Sequence, residues 1–409
     1  MQIRKFHSKN NMKYNLNIIF ITLTFLFFTV CSAQKNITTD KNLINIINQN
    51  FKDADAQYKV MMKELPPQKF PKTFEHDSLQ TSNSDWWCSG FYPGSLLYIY
   101  EQTKDTVLYN EAKRMLPLLA KEQYNTGTHD LGFMMYCSYG NMFRLDSNEE
   151  YKQVLLNSAK SLATRFNPTV GCFKSWNAKP SDFLVIIDNM MNLELLLWAT
   201  HETGDSSFYK IAVTHANTTM KNHFRDDYSS YHVLNYNPQT GEVQQRKTAQ
   251  GAADSSAWAR GQSWGLYGYT VMYRATKDKK YLDEANHIAN FILSNPHLPA
   301  DKIPYWDYDA PNIPNALRDV SAAAIMASAF IELSGYVNKE DAKKYIHVAE
   351  TILRNLSSAK YKAAADTNGG FLLKHSVGNL PGHSEVDVPL TYADYYFLEA
   401  MKRYKSLKQ

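Results

Sequence analysis

Apolar positions fall along this chain in blocks of helical length, and the blocks come in pairs. The first block of a pair is apolar almost throughout, as in Gly94 to Tyr100, Met190 to Ala199 and Leu266 to Tyr273. A short turn follows, then an amphipathic stretch with an alanine about two turns in. The pattern reads Thr103-Lys104-Asp105 leading to Ala112, Thr203-Gly204-Asp205 leading to Ala212, and Thr276-Lys277-Asp278 leading to Ala285. Weaker versions follow Asp146 and Asp341. In each, the Asp is the expected N-cap of the second helix, and the Ala lets that helix pack closely on the first. Helix hairpins therefore recur every roughly 40 to 75 residues, too far apart and too unevenly for a tetratricopeptide or armadillo solenoid. Five or six hairpins in about 370 residues fit an all-α fold, a closed (α/α)6 toroid or barrel. Its inner helices line a central cavity, and loops at one end build a site. Strand signals are sparse. Tyr231 to Tyr236, followed by Asn237-Pro238-Gln239-Thr240-Gly241, and Gly370-Phe371-Leu372-Leu373 read as short β-hairpins at the cavity rim.

Residues 1–33 read as a secretory signal and stand apart from this pattern. Arg4, Lys5 and Lys13 form a basic leader, Ile18 to Val30 an apolar segment too short for a comfortable membrane span, and Cys31-Ser32-Ala33 a small-residue cleavage site. Phe28-Thr29-Val30-Cys31 is a poor lipoprotein box, so cleavage after Ala33 is preferred to lipidation at Cys31. The expected product is exported, periplasmic or secreted, with residues 34–409 as one barrel domain and no stable membrane partner unless Cys31 is lipidated. The formal net charge of +4 belongs to the leader, and the remainder is close to neutral. A nucleic-acid partner would need a basic face or stripe, and none is present. Cys88, Cys137 and Cys172 remain, an odd and sparse set that argues against a disulfide framework. No CxxC or HExxH spacing occurs, so neither a metal site nor an organic cofactor is expected. Oligomeric state is open.

Aromatics make up 13% of the chain, enough for a carbohydrate-facing surface but equally suited to a large core, so only their positions discriminate. The chemistry concentrates in two stretches, His129-Asp130-Leu131-Gly132-Phe133 and Val185-Ile186-Ile187-Asp188-Asn189-Met190-Met191-Asn192. Each sets one carboxylate at the start of an apolar, helix-like run, with Trp86, Trp87, Trp176 and Trp264 in neighbouring segments. Carboxylates handle protons and flat rings stack on the C–H faces of sugars, the combination that sugar chemistry needs. Alternatively, both aspartates are helix N-caps. The apolar surroundings of Asp188 predict a raised pKa and a general-acid role, while His129 is expected to hold Asp130 ionised, so that the two values are pushed apart. His232 falls on a predicted rim strand, where a lone His is commonly a hydrogen-bonded surface residue. Gln250-Gly251 precedes Trp258 to Tyr267, in which Arg260 and Trp264 lie one helical turn apart and share a face. That pair suits an anionic sugar, one member pairing a carboxylate and the other stacking on the ring, or else it forms a structural cation–π contact.

The run Asp85-Trp86-Trp87-Cys88-Ser89-Gly90-Phe91-Tyr92-Pro93-Gly94-Ser95-Leu96 resembles the opening motif of glycoside hydrolase family 88, the unsaturated glucuronyl hydrolases. His129 to Tyr139, Asp188 to Trp198, Ser229 to Tyr236, Trp258 to Tyr269 and Asp394 to Ala400 resemble further family blocks, in family order from about residue 45 onward. The resemblance implies an (α/α)6 barrel acting on lyase-generated oligosaccharides that end in a 4,5-unsaturated uronic acid. It implies Asp188 as general acid/base and Asp130 as a second essential carboxylate. His232, Gln250, Arg260 and Trp264 would hold the uronate and its water. His129 and Trp176 would line the pocket, and one of Trp86 and Trp87 would stack on the sugar. It also implies hydration of the C4=C5 enol ether by acid/base catalysis in place of direct glycoside hydrolysis. The upstream polymer, whether glycosaminoglycan or ulvan, is left open, and sulfate tolerance is expected to depend on the segment Lys374 to Asp387. Two rivals are a family 105-type unsaturated rhamnogalacturonyl hydrolase and a non-catalytic helical module that binds acidic glycans.

Overall fold

The computed structural model describes residues 39–407; the leader and Cys31 lie outside the described residues. Helices alternate along the chain between an outer and an inner position. The outer ones are odd-numbered and the inner ones even: α1 (Lys41–Glu64), α2 (Phe91–Thr103), α3 (Thr106–Leu119), α4 (a π-helical Gly132–Gly140 continuing as α-helical Asn141–Leu145), α5 (Glu149–Ala163), α6 (Asn189–Thr203), α7 (Ser206–Asn222), α8 (Ala259–Thr276), α9 (Lys279–Ser294), α10 (Val320–Ser334), α11 (Lys339–Leu356) and α12 (Thr391–Ser406). Each inner helix packs on the next, and α12 packs back on α2, closing a ring of six inside six. Inner helices meet neighbours on three sides, so they are apolar nearly all round. In α10 every residue but Glu332 is buried. Outer helices bury one stripe only, as α11 does.

The recurring Thr-x-Asp turn makes the tight inner-to-outer connection. Thr103, Thr203 and Thr276 donate their hydroxyls back to the carbonyls of Ile99, Ala199 and Met272. The same hydroxyls accept the N–H of Asp105, Asp205 and Asp278. Those aspartates cap α3, α7 and α9, and the residue between, Lys104, Gly204 or Lys277, is left-handed and ends the inner helix. Ala112, Ala212 and Ala285 are fully buried, as expected. The two weaker repeats differ. The caps there are Asn148 and Asn338, not Asp146 and Asp341, because an Asn side chain two or three residues before the first free N–H groups reaches them equally well.

The outer-to-inner connections are long, and they carry all the described strands at the other end of the barrel. The β1–β2 hairpin (Phe70–Glu75, Ser78–Ser82) precedes α2. A small pair, β3 (Phe166–Asn167) and β4 (Cys172–Phe173), leads to β5 (Phe183–Ile186) before α6. Strands β6 (Val233–Tyr236) and β7 (Val243–Lys247) precede α8 and complete an antiparallel sheet in the order β5-β6-β7. The β8–β9 hairpin (Ser376–Asn379, Ser384–Val388) precedes α12. The predicted Tyr231–Tyr236 hairpin is therefore real, with a third strand added by Phe183–Ile186, which the sequence analysis did not assign as a strand. The predicted Gly370–Leu373 strand is not: that segment runs on from a short 3-10 turn with one isolated bridge, Lys362 to Leu373. Its backbone is instead held by the Asp394 carboxylate, which accepts the N–H groups of Leu372 and Leu373. Cys88, Cys137 and Cys172 are free and buried.

Candidate active site

Among the cavities of the described residues, two open at opposite ends of the barrel. The larger, about 740 Å³, lies at the tight-turn end. Its carboxylates are already engaged: Glu332 by Arg274 and Arg403, and Glu399 by Tyr98, Tyr267 and Ser328. The smaller, about 330 Å³, lies at the strand-bearing end and is where Asp130 and Asp188 converge. Trp86, Trp87, His129, Trp176, Gln250 and Arg260 line it with them. Of the sequence candidates, only His232 and Trp264 stand behind its wall.

The two carboxylates are brought together by a close helix crossing. Gly132 at the start of α4 meets Asn192 of α6, where a Cβ would fall 2.6 Å from the Asn192 Cα, so only glycine fits. Asn192 ties the crossing by accepting the Phe133 N–H at 3.0 Å, which turns its NH2 toward Asp130. Asp188 sits between β5 and α6 in the cap position, but its backbone is helical and its side chain makes no cap bond. The N-cap alternative is thus excluded for Asp188, and its Oδ2 is buried without a partner. Burial, reinforced by the charge of Asp130 and opposed by Arg260, pushes its pKa up to about 7.

His232 faces Asp188 with Nε2 at 3.8 Å from Oδ2. Its Nδ1 accepts two backbone N–H groups, from Ala249 and Gln250, each at 3.2 Å. A neutral ring so held carries its proton on Nε2, and burial keeps the ring neutral with a pKa of about 3. The loop that supplies those amides is anchored on buried Asp307, which accepts from Ala252 N and Ser256 Oγ. Trp258 packs on the His232 ring at 4.4 Å and Trp176 meets its edge at 5.9 Å.

Asp130 has the opposite kind of neighbour from the one expected. His129 donates Nδ1–H to the Ser175 carbonyl at 2.9 Å, and burial lowers its pKa to about 3. A neutral ring with its proton on Nδ1 presents a bare Nε2, 3.2 Å from Asp130 Oδ1. That contact is favourable when Asp130 carries the proton. His129 therefore does not hold Asp130 ionised. Burial raises Asp130 to about 7, as it does Asp188, so the two values are not driven apart. Proximity gives the pair its asymmetry: once either carboxylate ionises, its charge opposes ionisation of the other.

Arg260 is the cation of the cavity, fully enclosed and clamped. It pairs with buried Asp319 at 3.1 Å and donates to the carbonyls of Val377 and Gly378 in β8. Three of its five N–H groups are used, and the Nε–H has no protein partner. Its guanidinium stacks on Trp258 at 4.4 Å and Tyr392 at 5.3 Å, not on Trp264. Trp264 itself is fully buried between Phe133 and Tyr396, so its face is closed to any sugar. Its indole N–H is turned to the Asp188 carboxylate instead. Helical spacing put Arg260 and Trp264 on one face correctly, but that face turns inward and is divided between a cavity and the core.

The two tryptophans, both on the cavity wall, differ in exposure: Trp87 is half-buried and packs against Phe91, Phe133 and Tyr392, whereas Trp86 is 40% exposed at the cavity mouth with Lys72 over its ring at 4.9 Å. Trp86→Ala is expected to raise KM about tenfold for a sugar substrate and leave melting nearly unchanged, whereas Trp87→Ala should destabilise by roughly 2–3 kcal/mol. Steady-state kinetics and thermal melts of both variants check this. Asn379, Ser384 and Glu385 of the β8–β9 hairpin, all in the segment Lys374 to Asp387 singled out in sequence without individual residues, and Tyr392 of α12, which reading the sequence missed, complete the cavity wall. Tyr392 lies two residues before the Asp394 block, a usable signal.

Comparison with known proteins agrees with this geometry. The model of Glycosyl Hydrolase Family 88 matches residues 58–406. A Formosa agariphila protein described as an unsaturated glucuronyl hydrolase is 47% identical over 324 residues, 78% of this chain and 80% of that one. The crystal structure of an unsaturated glucuronyl hydrolase specific for heparin superposes with a TM-score of 0.86 at 48% identity, covering 89% of this chain and all of the other. A Streptococcus agalactiae unsaturated glucuronyl hydrolase mutant, solved in complex with dGlcA-GalNAc6S, gives 0.77 at 28% identity, covering 89% and 92%. The matched span takes in all six inner helices and every wall of the carboxylate cavity, and the chain belongs to glycoside hydrolase family 88.

Proposed function

We propose that this glycoside hydrolase removes the terminal 4,5-unsaturated uronic acid from lyase-generated oligosaccharides, by hydrating its C4=C5 bond. The observation that carries the reading is a pair of buried carboxylates with pKa values raised to about 7, facing one cavity with an enclosed guanidinium. Arg260 keeps its Nε–H and one further N–H for a ligand, enough to take the uronate carboxylate. Asp188 then protonates C4, and the positive charge that develops at C5 is stabilised by the ring oxygen. A water from the cavity side of Asp188 attacks C5 while the ionised Asp188 accepts its proton. Neutral His232 stands behind Asp188, with Nε2–H 3.8 Å from Oδ2, and is too weak a base to deprotonate that water. The hemiketal opens and the neighbouring sugar leaves as an alcohol. Asp130, protonated against His129, offers its other oxygen to the sugar hydroxyls. We also infer export, on the leader alone.

The test is ultraviolet absorbance of unsaturated disaccharides from heparin, chondroitin and ulvan, since the double bond absorbs while conjugated to the carboxylate. The signal should fade, and the fastest disaccharide names the upstream polymer. The donor must be protonated, so kcat/KM should be flat below about pH 7 and fall above it, approaching about tenfold per unit. A rate that rises through pH 7 removes Asp188 as the donor.

A further inference from the structure

Arg165, two residues beyond α5, is a buried cation that the reaction steps leave unused. All three of its guanidinium nitrogens donate to backbone carbonyls: Nε to Lys174 at 2.7 Å, and the two terminal nitrogens to Thr126 at 2.6 Å and Ser175 at 2.9 Å. The fork thus joins the loop that enters Asp130 to the loop that runs on toward Asp188. Ser175 extends the grip, since its Oγ donates to Asn189 Oδ1 and accepts the Ile186 N–H, each at 2.9 Å, on either side of Asp188. The Ser175 carbonyl accepts from Arg165 and from His129 Nδ1 alike. The guanidinium therefore stands at one nitrogen of the His129 ring and Asp130 at the other. A buried cation normally has a carboxylate of its own; here the carboxylate whose charge reaches Arg165 is Asp130, beyond that ring. The other titratable groups around the pair are Asp188, His215 of α7 and Cys88 before α2, and burial keeps the last two uncharged.

We propose that Arg165 is a positioning residue for the carboxylate pair: by sharing the Ser175 carbonyl and setting its charge beside Nδ1, it keeps His129 neutral and the proton on Asp130. Moving that proton to His129 Nε2 would place an imidazolium next to a guanidinium. The new carboxylate charge would lie on the far side of the ring, where it acts on Asp188. Like charges one shared carbonyl apart, in a partly dry site, oppose the transfer. The catalytic consequence rests on the hydrolase reading above. With Asp130 uncharged, the uronate meets Arg260 with no second anion beside the proton donor.

The experiment follows the ring nitrogens of His129 by NMR in protein labelled with 15N-histidine, from pH 8 to pH 4.5, with His129→Gln supplying the assignment. In the wild type the ring is expected to stay neutral with its proton on Nδ1 throughout, in keeping with a pKa of about 3. In Arg165→Met it is expected to titrate about two pH units higher, as loss of a unit charge so close implies. Arg165→Gln, which keeps a donor but no charge, should behave likewise and serves if the Met variant does not fold. Arg165→Lys keeps the charge and should keep the ring neutral. The kinetic counterpart is an acid limb: kcat/KM of Arg165→Met should lie at least about tenfold further below the wild type at pH 5 than at pH 7. A wild-type ring that is charged at pH 5, or protonated on Nε2, overturns the proposal. So does a ring that titrates alike in the wild type and the uncharged variants, or a rate loss equal at both pH values, the mark of a purely structural role. Absence of turnover in the wild type overturns the hydrolase reading, while the ring spectra still decide the role of Arg165.

Discussion

Asp188→Asn is expected to lower kcat by about 10³-fold or more while making the protein more stable at pH 8. The two effects have one cause. A carboxylic acid kept neutral near pH 7 by burial can give its proton to carbon, and the same burial opposes its ionisation in the folded state. With a folded pKa of about 7 against an ordinary 3.8, the native state binds the proton more tightly than the unfolded chain. Stability from this group is full below the ordinary value, declines as pH rises between the two, and is lost above about 7. At pH 8 the wild type carries the whole penalty, on the order of 4 kcal/mol for a shift of about three units. Asn removes it, so the variant should melt a few degrees higher at pH 8 and at the same temperature near pH 4. Paired melting curves at the two pH values, beside the ultraviolet assay, check both parts. A variant that keeps most of its turnover ends the assignment of Asp188 as donor.

Arg260→Met should have the opposite signature, losing turnover and stability together. Asp319 is fully buried, caps α10 through the Ser321 N–H and takes its charge balance from Arg260 at 3.1 Å. Leaving that carboxylate alone costs roughly 3–5 kcal/mol. The loss should be visible as a shift of the urea midpoint with little change in slope. Adding Asp319→Asn should recover part of the stability, because both buried charges are then gone, but none of the turnover, because the uronate still has no guanidinium. If the double variant regains activity, Arg260 serves the fold and the substrate carboxylate is held elsewhere.

These two residues show what could be read locally and what could not. Asp188 stood out because its neighbours in sequence are apolar on both sides, and that local fact survives folding as burial. The environment of Asp130 could not be read in the same way. Its neighbour His129 suggested a charge partner, but the tautomer of that ring is set by the Ser175 carbonyl, which arrives from a loop 46 residues away. Trp264 was legible as part of a helix face and illegible as a site residue, since Phe133 and Tyr396 come from other inner helices. Glu385 was legible only as part of the segment Lys374 to Asp387, not as a residue of the cavity wall. An acidic residue in an alternating polar segment looks solvated until the hairpin that carries it folds over a cavity.

What the sequence determines by itself is the barrel and its polarity. Thr-x-Asp turns act within a few residues: the hydroxyl, the left-handed residue and the cap satisfy neighbouring backbone groups, so their spacing alone specifies tight connections at one end. The apolar blocks before them are too uniform to face water anywhere, so they become the inner ring. The long connections are thereby left to the other end, where a site can be built. What only the tertiary structure decides is protonation and access. A pKa depends on which groups surround a carboxylate in three dimensions, and a tryptophan's availability depends on which rings lie against it. Asp130, Asp188 and Arg260 come from three different helix–loop units, and their mutual field exists only once the ring has closed.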